Sequence, residues 1–340
     1  MSASPLILTR EAVMAFRRHV GALDQRLPPG EPSLRQAAWA GLQDSMPRAA
    51  LLSMHARVEG VQSSTWEDPS LVQLWGPRFS VFVVAKPDLA VFSLGRLPDD
   101  ARGRQRAKNL ASRLKALLGH ARMPHDEAER ALGIPTNMLR YAAATGTVLI
   151  RWDGARQSIV WSVPAPDMAP GEARLELARR HLHVYGPVTP EAFGHWARIA
   201  ARSAAAAFGR LKSSLVPVRT PIGDGWILAQ DEPVFRAEVR PAAAVRLLPS
   251  GDAFLLLNWA DRDLLVANAD QRQALWPARV WPGGLLLGGE IVGTWRRSGA
   301  IVTVQTWRRL SPPERDAVAA EVQSLPLPGV GGRIILRWED

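Results

Sequence analysis

The sequence predicts an α+β fold in which helix–turn–helix–hairpin units stand in tandem and are followed by a β-barrel-like C-terminal domain. Three observations predict it. Residues 126–132 and 136–145 have helical patterns around a Gly133-Ile134-Pro135 turn, with Thr136 as N-cap, and strand-like runs follow at 148–151 and 158–163, reversed at Asp153-Gly154. The same order returns from residue 172, and a repeat is more informative than a lone helix-turn-helix pattern. Beyond residue 245 the texture changes to short apolar runs separated by glycine turns.

Each element has a local reason. Residues 9–21 and 34–41 have helical spacing, 47–59 is amphipathic and 79–85 is strand-like, so residues 1–98 have room for a first unit. Residues 99–166 hold a basic helix over 102–120 and the second unit. That helix carries Arg102, Arg104, Arg106, Lys108, Arg113 and Lys115 and reads first as a solvated connector. Residues 167–235 hold the third unit: a helix over 172–185, a break at Gly186-Pro187, and Thr189-Pro190-Glu191 as N-cap, first-turn proline and dipole-complementing acid. Helices then run to 196 and over 201–212, and strands at 215–218 and 226–229 flank Pro221-Ile222-Gly223-Asp224-Gly225. Residues 236–328 supply strands at 245–248, 254–257, 264–267, 285–287, 291–295 and 301–304, with hairpin turns at Gly288-Gly289 and Ser298-Gly299, as in a small barrel or sandwich. Ser311-Pro312-Pro313-Glu314 is a capping box for a closing helix, and 329–340 is a tail behind a Pro/Gly-rich stretch.

Composition narrows the function. The 340 residues contain no cysteine, which excludes disulfide scaffolds, cysteine metal sites and thiol nucleophiles. The longest apolar runs, such as 80–85, are far shorter than the ~18–20 residues of a membrane span, and the start lacks a basic n-region followed by an h-region. The expectation is a cytoplasmic, nucleoid-associated protein. Net charge is +10, and the basic set is almost wholly arginine, with Lys86, Lys108, Lys115 and Lys212 the only lysines. Arginine is the better bidentate phosphate donor, which favours a polyanionic partner, although an alanine-rich, arginine-rich chain also reflects GC-rich coding. P-loop, Gly-x-Gly-x-x-Gly, Gly-x-Ser-x-Gly and His-Glu-x-x-His patterns are missing, and His181 and His183 fall on different helix faces. Neither a metal nor a cofactor is expected.

Four segments together carry a family resemblance: Gly41-Leu42-Gln43-Asp44-Ser45-Met46-Pro47-Arg48, Leu71-Val72-Gln73-Leu74-Trp75-Gly76-Pro77-Arg78, Arg246-Leu247-Leu248-Pro249-Ser250-Gly251-Asp252 and Val292-Gly293-Thr294-Trp295-Arg296-Arg297. They resemble the AlkZ-like winged-helix DNA glycosylases over nearly the whole chain. The resemblance implies three tandem winged helices and a C-terminal β-barrel around a DNA channel, and excision of N-alkylated purines or unhooking of interstrand crosslinks. The family motif, Gln, an apolar residue, then Gln or Asp, falls on Gln43, Asp44 and Ser45. Two positions depart from it. Ser45 supplies neither carboxylate nor amide while a carboxylate stands at Asp44, and after Arg78 the family's Gly-Thr-Leu-His is Phe79-Ser80-Val81-Phe82 here.

The candidate catalytic residues are therefore Gln43, to orient water, with Asp44 or Ser45 assisting. Gln43 and Ser45 share a side only if the segment is extended, which Met46 before Pro47 favours and which turns Asp44 away. Asp44 and Ser45 also stand where N-caps of the following helix belong. For DNA contact the candidates are Trp75, by stacking, and Arg78, Arg140, Lys212, Arg296 and Arg297, by phosphate or base contact, each weighed against ordinary burial or solvation. No lysine matches a Schiff-base nucleophile, so excision is expected to leave an intact abasic strand. The expected partner is double-stranded DNA, alkylated or crosslinked, bound by a monomer. The rival readings are a non-catalytic lesion sensor or transcription regulator that kept the DNA channel, and a winged-helix module for protein partners.

Overall fold

Local signals set where the helices begin. A computed structural model describes residues 5–46, 48–154, 156–239, 242–257 and 259–339. In it the Thr9 hydroxyl accepts the Ala12 N–H at 3.2 Å to open the helix Arg10–Val20, and Asp100 accepts the Gly103 N–H at 2.7 Å to open Ala101–Leu118. Thr189 does the same for Pro190–Ala197, and Ser311 with Glu314 forms the capping box of Pro312–Gln323.

Among the described residues the strands form four sheets. The first, β1 (Leu6–Ile7), leaves its own end of the chain and joins a sheet described below. The strands β2 (Leu42–Gln43), β3 (Leu71–Trp75) and β4 (Val81–Ala85) lie in the order β2-β4-β3, behind the helices Arg10–Val20, Glu31–Ala37 and Ala49–Arg57. A second sheet, from β5 (Met123–Pro124), β6 (Val148–Arg151) and β7 (Ile159–Ser162), has the order β5-β7-β6 and follows Ala101–Leu118 and His125–Ala131. The third combines β8 (Leu215–Thr220) and β9 (Gly223–Leu228) with β1, which runs parallel to β8, and follows the helices Pro170–Tyr185, Pro190–Ala197 and Ala201–Leu211.

The C-terminal region is a five-stranded sheet in chain order: β10 (Val245–Leu248), β11 (Gly283–Leu287), β12 (Glu290–Ser298), β13 (Ile301–Thr306) and β14 (Ile335–Glu339). It is open, not the expected closed barrel. Strand β14 adds parallel to the outer side of β13, so the sheet extends away from β10, and among the described residues no ladder joins the two edges. Two expected strands are also replaced. Residues 254–257 coil because Asp252 gathers the Phe254 N–H on its side chain at 2.9 Å and the Leu255 and Leu256 N–H groups on its carbonyl, while Leu264 and Leu265 close the helix Trp259–Leu265. The helix expected over 136–145 is a tighter 3₁₀ segment, Leu139–Thr145. That expected from 47 runs as Ala49–Arg57, and Pro47 lies outside the described residues.

One continuous core takes Phe16 from the first helix, Phe82 from β4, Leu149 from β6, Leu177, Phe193 and Phe208 from the third group of helices, and Leu248 and Leu286 from the C-terminal sheet. The other face of that sheet packs on Val318 and Val322 of Pro312–Gln323 and receives Leu52 from Ala49–Arg57. The helix after the Gln43 motif is thus wedged against the C-terminal sheet.

Candidate functional site

Strand β2 is two residues long, and its register decides which motif side chains meet. Leu42 pairs with Val83 and Gln43 with Phe82, and the Asp44 N–H continues the ladder to the Val81 carbonyl at 2.8 Å. In this extended segment alternate side chains share a face. Gln43 and Ser45 fall together, with Gln43 Nε2 donating to Ser45 Oγ at 2.6 Å. Gln43 is 8% exposed and its Oε1 is buried without a hydrogen-bond partner, whereas Ser45 is exposed. Gly251, at φ +81°, closes the other side: a Cβ there would stand 3.4 Å from Gln43 Nε2 and 3.6 Å from Ser45 Oγ.

Asp44 faces the opposite way and is fully buried. Its Oδ1 accepts the Ala50 N–H at 3.0 Å and its Oδ2 accepts Gln73 Nε2 at 2.6 Å. Gln73 is held in turn by Trp152, donating to its carbonyl at 3.0 Å and accepting its N–H at 2.7 Å. Burial pushes the Asp44 carboxyl up to about 7, against hydrogen bonds from Ala50 and Gln73 and the nearby Arg48 charge that pull it down. Both Asp44 oxygens are thus occupied on the face away from Gln43. Asp44 caps the helix Ala49–Arg57 from six residues before Ala50, while Ser45, the other N-cap candidate, bonds Gln43 instead.

The position of the family's histidine is filled by core. Phe82, opposite Gln43, is fully buried, and Gly41 and Gly76 leave room for it: a Cβ at either would come within 2.9 Å of its side chain. Behind the site, Asp252 receives Arg57 through two bonds of 2.7 Å and the Ser53 hydroxyl at 2.6 Å, so the helix carrying Ser53 and Arg57 is bolted to the loop carrying Gly251.

The proposed DNA contacts are dispersed. Trp75 is only 6% exposed, tilted against His125 at 5.0 Å and packed with Leu110 and Leu114 in the core. Arg78 is half-buried in a left-handed conformation at the turn between β3 and β4. Arg140 lies over the Phe79 and Tyr141 rings at 5.1 and 5.5 Å. Lys212 is exposed after Ala201–Leu211; on β12, Arg296 is exposed and directed to the Val280 carbonyl, and Arg297 is half-buried. Sequence reasoning missed Gln73, Gly251 and Phe79. The first two lie inside the resembling segments, but only the fold shows what they touch. Among the described residues no group of acidic and histidine side chains is arranged to hold a metal, and no helix is long and apolar enough to cross a membrane.

This α+β architecture, with an extended Gln43 strand clamped by a glycine loop, coincides with a match to the AlkZ-like DNA glycosylase family over residues 37–326. The chain belongs to that family, whose members act on DNA. Among solved structures it is similar to the Streptomyces sahachiroi DNA glycosylase AlkZ, with a TM-score of 0.77 and 18% identity over 98% of this chain and 100% of that one. No curated protein matches the chain.

Proposed function

We propose that the protein is a monofunctional glycosylase that hydrolyses the N-glycosidic bond of alkylated purines or crosslinked bases in double-stranded DNA. The observation that carries this reading is Gln43 Oε1: a buried acceptor lacking a donor, on a side chain fixed by Ser45 and Gly251. Such an atom is stabilised by whatever donor arrives, and a water held there has one orientation. Ser45 Oγ, already accepting from Gln43, keeps its own proton to donate. Bond cleavage then needs a positioned water and a base that leaves easily. A purine alkylated at N7 or N3 is cationic and departs as a neutral base, so a site with an amide and a hydroxyl but no free carboxylate suits such lesions. The three helix-and-sheet units, in segments 1–98, 99–166 and 167–235, act as winged helices, residues 236–328 close the DNA channel, and the protein works as a monomer. Arg78, Arg140, Lys212, Arg296 and Arg297 supply phosphate contacts.

The test is a duplex carrying one N7-methylguanine, treated with alkali after incubation. Wild type gives strand cuts only after alkali, since no lysine stands at the site, and Gln43→Ala lowers the rate by about 100-fold, the scale of losing one preorganised polar group. Ser45→Ala retains part of the rate. The absence of a charge at Ser45 favours a second reading, a lesion sensor without catalysis. Salt-dependent duplex binding with no excision of N7-methylguanine or of a nitrogen-mustard crosslink selects the sensor.

A further inference from the structure

The turn between β3 and β4 holds two consecutive non-glycine residues, Arg78 and Phe79, at φ 59° and 56°. This sparsely populated region persists when surrounding structure enforces it, often at a functional site. Here the surroundings are arginines. The guanidiniums of Arg96, Arg140 and Arg198 lie 5.5, 5.1 and 5.6 Å from the centre of the Phe79 ring. They come from three different parts of the chain: Arg96 before the second group of helices, Arg140 from the 3₁₀ segment, and Arg198 from the turn between Pro190–Ala197 and Ala201–Leu211. Beside Phe79 opens a cleft of about 290 Å³ lined by Arg96, Arg106, Tyr141, Arg198 and Arg202, while Arg140 packs on the Phe79 ring outside that lining.

The charges in this cleft are not balanced from within. Of its two carboxylates, Asp99 is taken by Arg174 at 2.6 Å and by Ser203, and Asp100 caps the helix Ala101–Leu118. Among the described residues Arg106, Arg140, Arg198 and Arg202 form no ion pair, and Arg140 Nε is buried with no hydrogen-bond partner. Burial pushes Arg96 down to about 9, and the neighbouring Arg198 charge adds to that push. A neutral base gains little from converging guanidiniums, whereas a phosphodiester takes bidentate bonds from them.

We infer that this cleft is a DNA-backbone site, in which Arg198 and Arg202, with Arg106 across from them in the lining, grip a phosphate of the substrate strand beside the Phe79 ring. The inference rests on the DNA reading above and adds a location to it. Phe79 lies three residues before Phe82, the partner of Gln43 in the sheet, so one short strand ties the phosphate grip to the motif strand.

The experiment is fluorescence anisotropy of an unmodified duplex with the full chain between about 50 and about 200 mM salt, a range over which phosphate contacts weaken steeply. The variants are Arg198→Asn/Arg202→Ala and Arg202→Ala alone; both side chains are exposed, and asparagine tolerates the left-handed φ of Arg198. The expected result for the double variant is affinity lower by about 10-fold at the low-salt end and a slope of log affinity against log salt shallower by about 1 to 2. Arg202→Ala shows part of both changes. Arg130→Ala, which removes an exposed partner of Asp126, leaves both unchanged. Wild-type binding that is salt-dependent while both variants match it in affinity and slope overturns the cleft and leaves the DNA reading standing. No wild-type duplex binding at all overturns that reading and the cleft with it.

Discussion

Asp44 shows how one residue can sit inside a motif and serve another purpose. Its carboxyl is raised from an ordinary 3.8 to about 7 by burial, so the folded protein holds a proton there that the unfolded chain has released. The stability contribution of the protonated form is complete below the unfolded value and is lost as pH rises to about 7. In Asp44→Asn the ionisation is gone, but the new amide nitrogen faces Gln73 Nε2, which cannot flip without losing both bonds to Trp152. That costs about 1–3 kcal/mol at low pH. Urea midpoints of wild type and Asp44→Asn, measured from about pH 5 to about pH 8, are expected to converge as pH rises; a constant gap means that Asp44 is ionised throughout. Gly251→Ala is a second test. At φ +81°, with Gln43 Nε2 only 3.4 Å from the new Cβ, it is expected to cost about 1–2 kcal/mol and to lower excision more than stability, by shifting Gln43. The sequence pattern was enough to place Gln43 and Ser45 on one face, since alternation follows from an extended segment. The Gln73 and Gly251 contacts were not legible, because they join residues far apart in the chain through sheet pairing and loop packing.

Among the elements, the helix Ala49–Arg57 is the one whose attachment matters most to the site. Asp252 is 1% exposed, Arg57 is 3% exposed, and each satisfies the other. Removing one member of such a pair leaves a buried charge without its counter-ion, typically a loss of about 3–5 kcal/mol. Asp252→Ala is therefore expected to lose that much in urea denaturation, and Arg57→Met/Asp252→Leu to recover only the part due to the unpaired Arg57 charge, since the Ser53 hydroxyl and the Phe254 N–H still lack their acceptor; equal losses in both would mean that those hydrogen bonds and packing, not the ion pair, hold the loop. Elements with strong local signals were readable. The capped helices and the hairpins of β6 with β7 and β8 with β9 fall within a few residues of their expected places, as turn residues and N-caps dictate. Those set by distant contacts were not. The two-residue β2 has no pattern of its own and exists only as an edge of β4, and β14 lies in a segment read as a tail but is held by β13. The apolar run 254–257 looked like a strand because burial from all sides erases period, while the Asp252 side chain and carbonyl curl it.

For the whole molecule, the arginine excess has two uses. Three arginines near the start reach carboxylates near the end: Arg10 meets Glu290 at 2.6 Å, Arg17 meets Asp261 at 2.8 Å and Arg26 meets Glu321 at 2.7 Å. Strand β1 joins β8 in parallel, so the first residues of the chain complete a sheet built from residues after 210. Part of the positive charge is thus internal mortar, and part, as at Arg198 and Arg202, is exposed without an ion pair among the described residues. The same interlock bears on folding. A chain of this length commonly divides into independent domains, yet one core here runs from Leu8 to Ile291 through all four segments. If the segments were autonomous, tryptophan fluorescence and far-UV circular dichroism would report separate urea transitions, because the 13 tryptophans are spread along the chain while helices concentrate in its first three segments. With a shared core the two signals are expected to fall on one curve. Deleting residues 1–9 tests the cause, since it removes β1 and leaves the Val218 edge of β8 unpaired. The truncated chain is expected to split into two transitions, the third unit melting first; a single transition at the wild-type midpoint would show that the N-terminal strand contributes nothing to the coupling.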